Sequence, residues 1–311
     1  DSMIGKALSL EQAKKMAQQV APTDAPVLLE GPTGAGKELF AQAIHYASPR
    51  RSKPFVALNC SAFPKDLLES ELFGYRKGAF TGAAADKKGL FEEASGGTLF
   101  LDEIGELETG AQAKLLRALE TQEFTKLGDT KLTRVNVRIV AATNRNLKQE
   151  ADEGRFRPDL YYRLSVVMIP VPPLSARSGD LRALIGHFAQ HFAAKLRQRP
   201  LTITPAALRA LETYPWPGNV RELKNVLERA AILVPADQPL DVADLPIELQ
   251  LAALPHGMAD ASSDDPRTLR NFERQHVQRI LQECGGNKAE AARVLGIAHT
   301  TLYRKIQEFG L

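Results

Sequence analysis

Residues 27–40 read Val27-Leu-Leu-Glu-Gly-Pro-Thr-Gly-Ala-Gly-Lys-Glu-Leu-Phe40. Val27 to Leu29 form a short apolar run suited to a buried strand, and Leu39 to Ile44 continue with helical spacing. Between them lies a glycine-rich turn of fixed spacing, Gly31, Pro32, Thr33, Gly34, Ala35, Gly36, Lys37 and Glu38. Strand, glycine loop and helix in that order are what a phosphate-binding loop requires. The glycines let backbone N–H groups converge on phosphate oxygens, and the helix N-terminus adds partial positive charge. Lys37 would reach the β- and γ-phosphates. Glu38 departs from the general motif, because a Ser or Thr hydroxyl that ligates Mg²⁺ usually stands there.

Further strands follow the same rhythm: Phe55 to Leu58, Thr98 to Leu101 and Val137 to Ala142, each bounded by Gly, Pro or charge and separated by amphipathic stretches. That alternation predicts an α/β fold, a parallel sheet flanked by helices. Asp102 and Glu103 end the third of these strands, at the sheet edge where open α/β sheets bind ligands. Asp102 is suited to hold Mg²⁺ through its water shell, and Glu103 to orient and deprotonate an attacking water. Thr143 and Asn144 end the next strand and reach the same edge, within hydrogen-bonding range of a γ-phosphate or its water. Arg157 and Arg163 stand six residues apart in "GRFRPDLYYRL". A guanidinium delivered in trans to a transferring phosphoryl group accelerates hydrolysis, so both are candidates for that role.

The 311 residues exceed what one small core needs, and their composition, 44% hydrophobic and 25% charged, is that of a globular protein. No run of about 18 apolar residues occurs, so no bilayer-spanning helix is expected. The two cysteines, Cys60 and Cys284, lack metal-ligand spacing, which fits a reducing cytoplasm. The opening Asp1-Ser2-Met3 suggests that a natural N-terminal part precedes this stretch. Pro170, Pro172 and Pro173 close the α/β part, giving a first domain over 1–172. Helical patterns alone fill 173–249, with Thr204-Pro205 as an N-cap and first helical position. Residues 250–266 read as a flexible linker, and 267–311 return to helix.

Two stretches fit no core. In "GYRKGAFTGAAADKKG", residues 74–89, one aromatic, Phe80, sits among small residues flanked by lysines, without helical or strand periodicity. An exposed aromatic gains a monomer nothing, which argues for a partner. In 267–311, eight Lys or Arg stand against four Glu, an excess suited to a polyanion although the whole chain carries only +3. A helix over about 269–284 ends at Gly285-Gly286, Asn287 caps the next, Gly296 makes a tight turn, and "HTTLYRKIQEFG" forms the last. Ala289, Ala291 and Ala292 would let two helices approach, with Leu295, Ile297, Leu302 and Ile306 in their joint core. This is a helix-turn-helix, whose second helix enters the major groove of double-stranded DNA. His299, Thr300 and Thr301 are the candidate base or phosphate contacts, and Tyr303, Arg304 and Lys305 the candidate phosphate contacts.

"GPTGAGKE", "ESELFGYRKGAFTGA", "GGTLFLDEIGEL", "AATNRNL", "GRFRPDLYYRL" and "YPWPGNVREL" occur in this order over residues 4–249. Together they resemble the AAA+ central domain of the bacterial enhancer-binding proteins that activate sigma-54 RNA polymerase, and 267–311 resembles their Fis-type DNA-binding domain. The resemblance implies a cytoplasmic, nucleoid-associated ATPase using ATP and Mg²⁺. It also implies dimers that assemble into a hexameric ring, enhancer DNA and sigma-54 holoenzyme as partners, and no membrane. Gly31 to Glu38 become Walker A, Asp102 and Glu103 Walker B, and Thr143 and Asn144 sensor I. Arg157 and Arg163 become arginine fingers and Arg221, on the helical lid, sensor II. Asn59 becomes the residue that restrains Glu103 until a γ-phosphate is sensed. Glu38 is normal in this family, whereas Pro158 replaces the more usual Glu or Ala between the fingers, so finger placement is expected to differ slightly. Gly78, Ala79, Phe80, Thr81, Gly82 and Ala83 become the loop that contacts sigma-54. Other AAA+ machines, such as helicase loaders and unfoldases, lack that loop. A DNA-binding regulator with a dead ATPase fold would not need Lys37, Asp102, Glu103 and Arg163 together.

Overall fold

The computed structural model describes residues 3–197, 201–235, 238–252, 269–284, 287–295, 302–303 and 305–306. The chain divides into two compact units, 1–250 and 251–311. In the first unit the strands are β1 (Val27–Glu30), β2 (Phe55–Asn59), β3 (Gly74–Tyr75), β4 (Lys87–Lys88), β5 (Thr98–Asp102), β6 (Glu123–Thr125), β7 (Leu132–Arg134), β8 (Arg138–Thr143) and β9 (Val167–Pro170). Five of them form one parallel sheet in the order β2-β5-β8-β1-β9. The pleat divides the core in two. Val27, Leu29, Phe100, Val140 and Ala142 face one side, while Leu28, Leu99, Leu101, Ile139 and Ala141 face the other. Both faces are covered, which is why β8 is buried along its whole length.

The first side packs on α1 (Leu8–Val20) and α2 (Lys37–Tyr46). The other packs on α3 (Lys65–Phe73), α4 (Leu90–Glu93), α5 (Thr109–Thr121), α6 (Leu147–Asp152) and α7 (Pro158–Leu164). Arg138, at the start of β8 and 1% exposed, donates to the carbonyls of Ala21 (2.7 Å) and Val20 (2.9 Å). A buried cation thus meets the partial negative charge at the end of α1. The sequence reading stops the sheet at four strands; β9 adds a fifth, at the edge, where Pro170 costs no ladder bond. Two short hairpins, β3–β4 and β6–β7, also lie outside that reading.

Past β9 the architecture is helical: α8 (Ser178–Phe192), α9 (Pro205–Thr213), α10 (Asn219–Leu233) and α11 (Ile247–Ala252). Thr204 caps α9 by accepting from the Ala207 N–H at 3.1 Å, with Pro205 in the first turn, as expected. α11 continues through Ala252, past residue 249, where the sequence reading begins the linker.

In the second unit, α12 (Leu269–Glu283) and α13 (Lys288–Val294) share a core of Val277, Ile280, Ala291, Ala292, Leu302 and Ile306. Asn287 accepts from the Glu290 N–H at 3.2 Å and caps α13. The Lys288 ammonium lies 4.8 Å from the centre of the Tyr303 ring, whose edge remains exposed, and Lys305 is half-buried. His299, Thr300, Thr301 and Arg304 lie outside the described residues.

Candidate functional site

Because all five strands of the sheet run the same way, their C-terminal ends share one edge. Register sets Asn59 beside Asp102 and Glu30 beside Thr143. A cavity of about 940 Å³ lies there, lined on one side by Thr33, Gly34, Gly36, Lys37 and Glu38. Asn59, Asp102, Glu103 and Asn144 line it from the strand ends, and Arg221 from α10. The sequence reading names every one of these. Gly34 (φ +78°) and Gly36 (φ +105°) occupy the left-handed region, which glycine alone enters freely. A Cβ on Gly34 would lie 2.3 Å from the Gly218 carbonyl oxygen, so the lid meets the loop backbone directly.

The charges converge. The Lys37 Nζ, almost fully buried, donates to the Gly31 carbonyl at 2.8 Å and stands 3.6 Å from Glu103 Oε1. Glu103 Oε2 accepts from the Asn144 N–H at 3.1 Å, and the Asn144 side chain donates to Thr33 Oγ1 at 3.0 Å. One chain of contacts therefore joins the loop, the carboxylate and the end of β8. Glu103 itself is left-handed (φ +53°), which costs a non-glycine residue about 1–3 kcal/mol. The Lys37 ammonium and the Asn144 N–H both face the Glu103 carboxylate in that conformation.

Four residues of the sequence reading do not make the contacts expected of them. Thr143 is buried and does not line the cavity; its Oγ1 accepts from the Arg145 N–H at 3.0 Å, so Asn144 alone of that pair faces the site. Asn59 Oδ1 accepts from the N–H and Oγ of Ser61 at 2.9 and 2.7 Å, capping a short turn instead of touching Glu103. Arg157 and Arg163 are not among the lining residues. Arg157 pairs with Asp159 at 2.7 Å, and Arg163 donates to the Leu119 carbonyl at 3.4 Å. Pro158 opens α7 with Arg157 as its N-cap, a position where the missing N–H is not needed, so the proline suits the helix start.

Other site residues escaped the sequence reading. Asn219, buried with φ +54°, donates to the Thr33 carbonyl at 3.0 Å and accepts from the Leu174 N–H at 2.8 Å, locking lid to loop. Its signal was the Pro-Gly-Asn turn before α10. Arg145 lines the cavity and pairs with Glu106. The lining also has an apolar and aromatic part, Ile4, Leu184, Phe188 and Val220, joined by His187 and His191. Cys60 is inert: burial, then the carboxylates of Asp102, Glu103 and Glu106, push its thiol up to about 12.

The loop at 74–89 is a hairpin closed by β3 and β4. Gly78 (φ +82°) and Gly82 (φ +108°) bend its tip, and Ala79 packs on Gly128 of the β6–β7 hairpin. Phe80 is 37% exposed, its ring 4.9 Å from that of Tyr75, so it rests on a neighbour instead of standing free. Arg76 fastens the base, contacting Asp86 at 2.5 Å and Asp129 at 2.8 Å.

A glycine loop following β1, an acid pair at the end of β5 two strands away and a helical lid define a P-loop ATPase of the AAA+ class. Residues 3–170 match the Sigma-54 interaction domain family, 175–261 the AAA+ ATPase lid domain and 268–309 the Bacterial regulatory protein, Fis family. The transcriptional regulatory protein ZraR of Escherichia coli is 46% identical over 304 residues, 98% of this chain and 68% of that protein. The Nif-specific regulatory protein of Azotobacter vinelandii is 45% identical over 318 residues, 99% of this chain and 59% of that one. The crystal structure of NtrX from Brucella abortus in complex with ATP superposes with a TM-score of 0.72 at 36% identity, covering 100% of this chain and 70% of that one. The chain belongs to the sigma-54 enhancer-binding proteins, DNA-binding, ATP-dependent activators of transcription.

Proposed function

We propose that ATP binds in the cavity at the edge of the β2-β5-β8-β1-β9 sheet and that its hydrolysis drives the Gly78–Ala83 loop against sigma-54 in the closed promoter complex. The linkage Thr33–Asn144–Glu103–Lys37 is the observation that carries this reading. Triphosphate oxygens compete with Glu103 for Lys37. With the lysine drawn to the phosphates, the Glu103 carboxylate keeps only its Asn144 contact and is free to take a proton from an attacking water. Asn144 then reports the γ-phosphate to Glu103, and Arg221 closes the lid side.

Asp102 lines the cavity with one oxygen turned to the Glu103 N–H at 3.1 Å. Among the described residues no cluster of three or more His, Cys, Asp or Glu side chains could hold a metal. Asp102 would therefore hold Mg²⁺ through water, and the ion when bound neutralises phosphate charge.

Arg157 and Arg163 lie outside their own cavity, which supports a role at a neighbour's site in a ring assembled from dimers, six subunits in the family pattern. Asn59 serves as the restraint on Glu103 only after leaving Ser61. The change from sheet to helices after β9 supports dividing the chain at 172; a lid, a linker to 266 and a DNA-binding domain over 267–311 complete the proposed order. His299, Thr300, Thr301, Tyr303, Arg304 and Lys305 are its proposed DNA contacts. Turnover and ATP affinity measured on Lys37→Ala test the site: both should be lost, and undiminished hydrolysis would move the chemistry elsewhere.

A further inference from the structure

Asn219 opens α10 and is only 3% exposed, yet its side chain does not cap that helix. An asparagine at a helix start ordinarily offers its oxygen to the helix's own N–H groups. Here Oδ1 accepts from the Leu174 N–H at 2.8 Å, in the segment that follows β9. Nδ2 donates to the Thr33 carbonyl at 3.0 Å and to the Pro217 carbonyl at 3.2 Å. Both donors and the oxygen of the amide are thus engaged with backbone, in the phosphate loop, the lid turn and the entry to the lid. Glu222 fastens the turn itself, accepting from the Gly218 N–H at 2.8 Å and from the Tyr214 hydroxyl at 3.1 Å.

The backbone shows the same constraint. Four non-glycine residues among those described have positive φ, and two of them, Trp216 (+53°) and Asn219 (+54°), stand in this turn. Such residues persist only where their surroundings over-determine them, and asparagine enters the region more readily than most. Two residues on, the Arg221 N–H donates to the Gly34 carbonyl at 3.3 Å, while the Arg221 side chain lines the cavity. Thr33 is held from its other side as well, its hydroxyl accepting from the Asn144 amide at 3.0 Å. The first turn of α10 is therefore seated on residues 33 and 34 of the loop, and Arg221 reaches the cavity from that seat.

We propose that Asn219 is a positioning residue for Arg221: its amide fixes the start of α10 on the Thr33 carbonyl and so sets where the Arg221 guanidinium meets bound triphosphate. This rests on the cavity being the ATP site with Arg221 in it. A residue that acts through another loses its effect when that other is removed. One that only stabilises the fold costs the same in either background.

A double-mutant cycle on the full chain, read by calorimetric titration with a non-hydrolysable ATP analogue, tests this. Asn219→Gly keeps the left-handed backbone and removes the amide. It is expected to weaken the analogue about tenfold in the wild-type background, as the loss of a hydrogen bond to a buried carbonyl would. Beside Arg221→Ala the further loss should stay under about twofold. Should Asn219→Gly not fold, Asn219→Asp decides: it keeps an acceptor for the Leu174 N–H, gives up the donor to Thr33, and should show the same pattern. Equal losses in both backgrounds, or no loss in the wild type, would overturn the proposal. The single variants separate it from the reading of the cavity. If Lys37→Ala weakens the analogue and Arg221→Ala does not, the cavity binds nucleotide without Arg221 and the positioning role alone falls. If neither weakens it, the cavity is not the ATP site and both fall.

Discussion

Glu103 is the residue on which the proposed chemistry turns. Its left-handed backbone is held by Lys37 and by the Asn144 N–H, so a charged side chain is kept beside the phosphate loop at some conformational cost. Glu103→Gln keeps the side-chain shape and removes the base; ATP affinity should persist while turnover falls by about 10²–10⁴. Turnover within a factor of about three of wild type would remove Glu103 from that role. His45 offers a different test. Burial lowers its affinity for a proton below the ordinary 6.5, while its Nδ1 sits 2.9 Å from Thr98 Oγ1. As pH falls the unfolded chain takes that proton first, so stability present above about 6.5 is lost below it. Melting temperature should therefore drop between pH 7 and 5.5 more steeply in the wild type than in His45→Gln; identical profiles would contradict this. Lys37, Asp102, Glu103 and Asn144 were legible because each ends a strand or opens a helix, where sequence position fixes which way the chain faces. Asn59 and Thr143 have the same placement, yet local partners, Ser61 and Arg145, claim their side chains. Ile4 and His187 were not legible, because they reach the cavity only through tertiary packing, and Asn219, which bonds the Thr33 carbonyl, left only its Pro-Gly-Asn turn as a signal.

Among elements, the β3–β4 hairpin carries the proposed coupling to the partner. Two-residue strands are too short to show a period, so the sequence gives this stretch away only by its glycines and its isolated aromatic. The β6–β7 hairpin it leans on is equally short. β9 lies outside the sequence reading: its apolar run, Val166 to Ile169, is short and stands directly against the prolines that mark the end of the α/β part. Phe80→Ala should leave ATP turnover unaltered and abolish binding to sigma-54, measured by co-migration on native gels; retained binding would place the contact elsewhere. The Arg76 pairs with Asp86 and Asp129 lie at the surface, where solvent screening leaves such bridges little weight in global stability. Arg76→Ala is thus expected to leave the melting temperature unchanged while hydrogen exchange over residues 74–89 quickens. Unchanged exchange there would mean that Arg76 does not fasten the hairpin.

For the whole molecule, the cavity is lined by a lysine, an acid pair and a lid arginine but by neither Arg157 nor Arg163, as the proposed delivery in trans requires. Lys37→Ala and Arg163→Ala chains, each inactive alone, should recover part of the ATP turnover when mixed, because some seams then join an intact loop to an intact finger. No recovery across mixing ratios would argue against delivery in trans. The fold class and the order of sheet, lid and helix-turn-helix were readable from alternating apolar patterns and loop chemistry. The proposed assembly was not, because surfaces that join subunits carry no period. The most direct measurement of the central claim is promoter melting by sigma-54 RNA polymerase in vitro, read by permanganate reactivity of the template. With this chain present, melting is predicted with ATP and absent with a non-hydrolysable analogue; equal melting with both, or without the chain, would contradict it.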